Sequence, residues 1–102
     1  MQERPPRYEI ERPVEYRVRT PSGPIQGKGK TLNISRHGLL FESDHTIGVG
    51  SKIDMNVRMG DAMGGGAPIT LRVHGITLRS QQGFVAVSIK KYKLQADGGT
   101  TS

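Results

Sequence analysis

The chain has 102 residues, which is enough for one domain with a hydrophobic core but too few for two. It contains no cysteine, which excludes disulfides and thiolate metal sites, and no run of about 18 apolar residues that could span a membrane. These features and a charged N-terminus unlike a signal peptide predict a cytoplasmic protein. The formal net charge of +6 favours an anionic partner, although it also fits a basic surface that serves only solubility.

The first predicted elements are three β-strands. Val14, Tyr16 and Val18 alternate with charged residues, which is the period of a strand with one buried face. A second strand is predicted over residues 26–34 and a short third strand over residues 39–42.

Three further strands are predicted after glycine-containing loops. Apolar and polar residues alternate over residues 53–59, which gives the fourth strand. In the fifth, over residues 69–78, the apolar residues change parity, so a β-bulge at His74 and Gly75 is predicted to keep all five of them, including Leu78, on the core face. The sixth covers residues 85–89. Six short strands without a helical period predict an all-β barrel or sandwich.

No convincing catalytic site is found in the sequence. Ser35 and His37 are too close along the chain to be assumed a nucleophile and its base, and no third group is evident to orient His37. The glycine-rich stretch GDAMGGGAP lacks the Lys-Ser/Thr end of a phosphate-binding P-loop and is interpreted as a hairpin loop. His74 sits beside the predicted bulge, which favours a structural role. We therefore expect a protein that is not an enzyme and holds no metal or cofactor.

The stretch TLNISRHGLLFES carries more polar residues than a hairpin turn requires. Asn33 and Ser35 are one strand period apart, so their hydrogen-bonding side chains are predicted to point the same way. Gly38 would let the backbone pass close to whatever they hold. Asn and Ser are also ordinary turn formers, so the spacing alone does not decide between a site and a turn.

With this motif the sequence resembles the PilZ family, bacterial six-stranded β-barrels many of which bind the second messenger cyclic di-GMP. The family is marked by Asp/Asn-x-Ser-x-x-Gly at the end of the second strand, and NISRHG matches every defining position. A second mark is Arg-x-x-x-Arg before the first strand. Here Arg4 and Arg7 are three positions apart and Arg7 and Arg12 are five apart. The resemblance covers residues 4–94 and extends to RYEIERPVEYRV and GFVAVSIKKYKL as the first and last strands.

The resemblance implies a six-stranded antiparallel β-barrel with flexible N- and C-terminal tails. Residues 1–12 would form the arginine-bearing N-terminal segment, residues 13–94 the barrel and residues 95–102 a disordered tail. Arginine suits cyclic di-GMP because its planar fork donates two hydrogen bonds to a phosphate or to a guanine edge. The implied ligand-binding residues are Arg4, Arg7, Arg12, Asn33, Ser35, Arg36 and Gly38.

The function implied is that of a sensor or effector module, which changes its N-terminal conformation on binding cyclic di-GMP and signals to a protein partner. One alternative is a degenerate member of the same family, which keeps the barrel but acts only as a protein-interaction module because its arginines are misspaced. Another is a basic barrel that binds single-stranded nucleic acid. That function requires aromatic platforms among basic residues on one face, and it is disfavoured because the five aromatic residues are scattered along the sequence.

Overall fold

The computed structural model describes residues 11–61 and 68–96. Its six strands are β1 (Pro13–Val18), β2 (Ile25–Ile34), β3 (Gly38–Ser43), β4 (Lys52–Asp61), β5 (Pro68–Gln81) and β6 (Phe84–Ala96). They form a closed barrel in the order β1-β2-β3-β6-β5-β4, with every neighbouring pair antiparallel. The predicted fold class is therefore confirmed. In this described part of the chain no helix is long and apolar enough to cross a membrane.

The barrel interior follows from the alternation of apolar residues. In β1, β4 and β6 the apolar positions predicted to face inward are buried or, for Met59 and Ile89, partly buried against the core, because successive side chains of a strand point to opposite faces. The ring of Tyr16 lies 5.3 Å from that of Phe41 near the centre of the core. The buried apolar residues are Val14, Tyr16, Val18, Leu39, Phe41, Ile47, Ile53, Met55, Val57, Leu71, Val73, Val85 and Val87.

A buried threonine fixes the chain at each end of the barrel. At one end, the Thr77 hydroxyl donates to the Gly48 carbonyl at 2.6 Å and accepts the Ser51 N–H at 2.9 Å. At the other end, Thr31 accepts the Arg12 N–H at its hydroxyl and donates its own N–H to the Arg12 carbonyl, both at 2.9 Å. The last residue of the predicted flexible N-terminal segment is thus bound to β2. Residues 1–10 of that segment lie outside the described residues.

The β-bulge predicted at His74 and Gly75 exists, but its extra residue belongs to β6. His74 pairs with Lys91 and Gly75 with Ile89, so Lys90 has no partner residue in the ladder. Because the insertion is in the neighbouring strand, β5 keeps its own alternation through this point. Gly75 and Thr77 therefore take the core positions, and the prediction that Ile76 faces the core is wrong.

The prediction that Leu78 faces the core is wrong. Its side chain is 57% exposed. Because β5 keeps its alternation and Thr77 is buried, the side chain of Leu78 points outward. Thr77 pairs with Val87 and Arg79 with Ala86, so Leu78 is also the extra residue of a bulge in β5, which turns Arg79 to the outer surface as well.

Strand β6 is longer than the sequence indicates. It continues to Ala96, so Gln95 and Ala96 belong to a strand and not to the predicted disordered tail. The rest of that tail, residues 97–102, lies outside the described residues. The additional length of β6 pairs with β5 alone among the described strands.

Candidate functional site

A β-bulge at Leu32 determines where Asn33 points. Thr31 pairs with Phe41 and Asn33 with Leu40, so Leu32 is the extra residue of β2. Thr31 and Phe41 are fully buried. Regular alternation would therefore turn Asn33 toward the core as well, two positions after Thr31. The inserted residue reverses the alternation and places Asn33 on the outer surface.

Ser35 stabilises the turn between β2 and β3. Its N–H donates to the Gly38 carbonyl at 2.8 Å, and its hydroxyl donates to the same carbonyl at 3.1 Å. The Gly38 N–H donates back to the Ser35 hydroxyl at 3.3 Å. The serine of the motif therefore has a structural task, because it holds residues 35–38 in a closed turn.

Gly38 is required by a close approach between two strands. A Cβ at this position would lie 2.8 Å from the Val87 carbonyl oxygen of β6, closer than two such atoms normally approach. Its φ is not positive, so no left-handed backbone explains the glycine. The sequence suggested that Gly38 admits a ligand, whereas the contact that the structure shows is with the neighbouring strand.

Four outward-facing residues form one row across the barrel surface. Asn33 on β2 pairs with Leu40 on β3, Leu40 with Ala86 on β6, and Ala86 with Arg79 on β5. Directly opposed residues in antiparallel strands lie on the same face with Cβ atoms about 5 Å apart. In this row, Leu40 and Ala86 lie between the amide of Asn33 and the guanidinium of Arg79.

A groove with a volume of about 600 Å³ runs along this row. That size is within the range of about 300–1,000 Å³ typical of small-molecule sites. Leu78 and Phe84 are 57% and 41% exposed and give the groove an apolar wall. Its polar lining residues are Asn33, Ser35, Arg79, Gln81 and Gln82, and its other lining residues are Gly38, Leu39, Leu40, Ala86 and Val87.

Arg79 is the cation of the groove. Its side chain is exposed, and no residue in the described ranges forms an ion pair or a hydrogen bond with its guanidinium. An arginine without a carboxylate partner keeps all its donors available for an anion.

The predicted arginines are not gathered in this groove. Arg36 is exposed at the turn and does not line it. The guanidinium of Arg12 lies over β4, where its Nη1 is 3.4 Å from the position that a Cβ of Gly60 would take. Arg4 and Arg7 lie outside the described residues. Of the seven predicted site residues, the structure brings together Asn33, Ser35 and Gly38.

A second groove, of about 650 Å³, lies over β1 and is lined by charges of both signs, with Arg17, Lys28 and Arg72 as its cations. Its lining includes the carboxylates of Glu15 and Asp54. Asp54 is 2.5 Å from Nδ1 of His74, and Glu15 is 3.4 Å from the Arg58 guanidinium, so each of these carboxylates already has a partner. Within the described ranges no group of three or more His, Cys, Asp or Glu could hold a metal ion.

Tyr16 anchors a polar cluster after β3. Its buried hydroxyl donates to Asp44 Oδ1 at 2.6 Å and lies 2.7 Å from the Ser43 hydroxyl. Burial, followed by the hydrogen bond to Asp44, raises the pKa of Tyr16 to about 12. The same hydrogen bond is the main reason why the pKa of Asp44 falls to about 2. His45 adds an ion pair to Asp44 at 2.9 Å when its ring is protonated.

No family model, curated protein or solved structure matches this chain.

Proposed function

We propose that this protein is a sensor or effector module, not an enzyme, which binds cyclic di-GMP in the groove on β2, β3, β6 and β5. The observation that supports this most strongly is the bulge at Leu32. It turns Asn33 out of the core, at a cost in regular pairing, and aims its amide into a groove of ligand size. Bulges of this kind often re-aim a side chain beside a binding site.

The groove offers groups that match the chemistry of cyclic di-GMP. The Asn33 amide both donates and accepts hydrogen bonds, as a guanine edge requires. The exposed apolar wall of Leu78 and Phe84 supplies a surface for the flat face of a purine. Arg79 can donate two parallel hydrogen bonds to a phosphate or to guanine O6 and N7, and a good bidentate contact is worth about 1–3 kcal/mol.

The N-terminal arginines are joined to the barrel close to the groove. Arg12 is bonded to Thr31, which is two positions from Asn33. In the proposed function, Arg4 and Arg7 contact the ligand from this attachment point and the N-terminal segment changes its conformation on binding. A protein partner recognises that change.

Isothermal titration calorimetry of the 102-residue chain with cyclic di-GMP tests the proposal. We expect saturable heat with cyclic di-GMP and a much weaker response to cyclic di-AMP, which lacks the guanine O6 acceptor. At a ligand concentration of about 100 times Kd, the stability of the barrel should rise by about 2.7 kcal/mol. Asn33→Ala should weaken binding, whereas Asn56→Ala, which lines the groove over β1, should not.

The absence of heat at high ligand concentration, together with an unchanged melting temperature, would refute ligand binding. The barrel would then be explained better as a degenerate module of the same family that acts by protein interaction alone.

A further inference from the structure

Strand β6 has an open edge in its C-terminal half. It pairs with β3 only from Phe84 to Ser88. The last hydrogen bond on that side runs from the Ile89 N–H to the His37 carbonyl at 2.9 Å. Of residues 90–96, Lys90 is the extra residue of the bulge and the other six pair with β5, while none pairs with a second strand among the described residues. All seven of these residues are exposed. Their free edge is about 23 Å long at the usual rise of 3.3 Å per residue.

One face of this edge is apolar and uncovered. Tyr92 pairs with Val73 and Leu94 with Leu71, so each pair shares the face of β5 that points to the core. Val73 and Leu71 are 0% and 8% exposed, whereas Tyr92 and Leu94 are 58% and 62% exposed. On this face, the side chains of β5 are therefore buried, whereas those of β6 lack a neighbouring strand that would cover them.

The other face of the edge is positively charged. Lys91 pairs with His74 and Lys93 pairs with Arg72. No carboxylate of the described residues forms an ion pair with either lysine. A strand placed beside this face would meet lysine ammonium groups along its length, which favours acidic side chains at alternate positions.

We propose that residues 90–96 of β6 accept an extended acidic segment of a partner protein as an additional strand. The main-chain N–H and C=O groups of the open edge supply the hydrogen bonds, as in other cases of strand addition. Apolar residues of the partner cover Tyr92 and Leu94, and acidic residues at alternate positions pair with Lys91 and Lys93.

The charge of the edge argues against a second copy of this chain as the occupant. Antiparallel pairing of two β6 edges would bring the lysines of one copy beside those of the other, and like charges on neighbouring strands are destabilising. Lysines on an open edge are a common protection against such self-association. The inference does not depend on nucleotide binding, because none of residues 90–96 lines the groove of Asn33.

The test uses the 102-residue chain and a fluorescent synthetic peptide of about eight residues, a typical strand length, in which Glu and Val alternate. We expect saturable binding of this peptide and slower amide hydrogen exchange at alternate residues of 90–96. A peptide of alternating Lys and Val should not bind. The double substitution Lys91→Glu and Lys93→Glu should weaken binding of the acidic peptide at least about tenfold, or 1.4 kcal/mol. The matched double substitution Lys28→Glu and Lys52→Glu changes the charge equally on other strands and should leave binding unchanged.

Three results would overturn the inference. One is the absence of acidic-peptide binding to a chain that melts as a folded barrel. Another is an equal loss of binding in both double variants, which would indicate general charge attraction. The third is full protection of the amides of residues 90–96 in the free chain, because the edge would then already be covered by the chain itself.

Discussion

The hydroxyl of Tyr16 donates a 2.6 Å hydrogen bond to Oδ1 of Asp44, which joins a buried phenol of β1 to a half-exposed carboxylate that follows β3. The two residues are 28 positions apart, so the bond forms only when the barrel has closed its β1–β2–β3 side. It stabilises the charged form of Asp44 and lowers the pKa of that carboxyl to about 2.

We predict that Tyr16→Phe raises the pKa of Asp44 toward its ordinary value of 3.8, because the substitution removes the donor. The folded-state pKa is below the unfolded one, so the stabilisation from this carboxylate is complete above about pH 4 and is lost as the pH falls through about 2. An NMR titration of the Asp44 carboxyl carbon measures the shift. Tyr92→Phe, at an exposed tyrosine, is the control and should leave the titration unchanged. An unmoved Asp44 pKa in Tyr16→Phe would contradict the prediction.

Gly38 offers a test of the contact between β3 and β6. Gly38→Ala should destabilise the barrel by about 1–3 kcal/mol, because its Cβ would lie 2.8 Å from the backbone oxygen of Val87 and the strands must separate. Gly48→Ala is the matched control: its nearest contact would be the Ser51 hydroxyl at 3.5 Å, so little change is expected. Chemical denaturation of both variants gives the comparison. Equal midpoints would show that the close approach carries no energetic cost.

The alternation of apolar residues was sufficient to predict six strands in an all-β barrel or sandwich, and the resemblance to the PilZ family was needed to choose the barrel. Val14, Tyr16 and Val18 face the core as expected because a strand with one buried face has a period of two, whatever strands lie beside it. Such a pattern is local, so it can be recognised without knowing the topology. The break between the predicted second and third strands, residues 35–38, is the turn that the structure shows, although Ser35 and Gly38 were predicted to contact a ligand.

The wall of the groove could not be predicted in this way. Leu40 lies beside Ala86, and Ala86 beside Arg79, only because β3 pairs with β6 and β6 with β5 in one particular register. Neither pairing leaves a local pattern in the sequence. The bulges at Leu32 and Leu78 were also hidden, because one inserted residue reverses the face of the residue that follows it, here Asn33 and Arg79.

Arg79 gives the most direct test of the barrel side of the proposed nucleotide site. Arg79→Ala should reduce cyclic di-GMP affinity at least about tenfold, because it removes a charge-assisted contact worth more than about 1.4 kcal/mol. Arg72→Ala is the matched control, since Arg72 is also an exposed arginine of β5 but lies outside the groove. Calorimetric titration of both variants measures the difference. Equal affinities would show that Arg79 does not contact the ligand. The contribution of Asn33 would still be tested by Asn33→Ala.

The final prediction concerns Arg7, which precedes the barrel. Arg7→Ala should also weaken cyclic di-GMP binding at least about tenfold, by loss of a charge-assisted and bidentate contact. Stability without ligand should change by no more than about 0.5 kcal/mol, because Arg7 precedes β1 in the sequence and lies outside the predicted core. Titration and denaturation of the same variant separate the two effects.

The informative comparison is Arg12→Ala, because the Arg12 guanidinium lies over Gly60 of β4. If Arg12→Ala abolishes binding and Arg7→Ala does not, Arg12 must leave β4 to hold the ligand, and Arg12 rather than Arg7 supplies the N-terminal contact. If neither substitution matters while Arg79→Ala does, the barrel binds the nucleotide without its N-terminal arginines, and the proposed signal through the N-terminus is refuted.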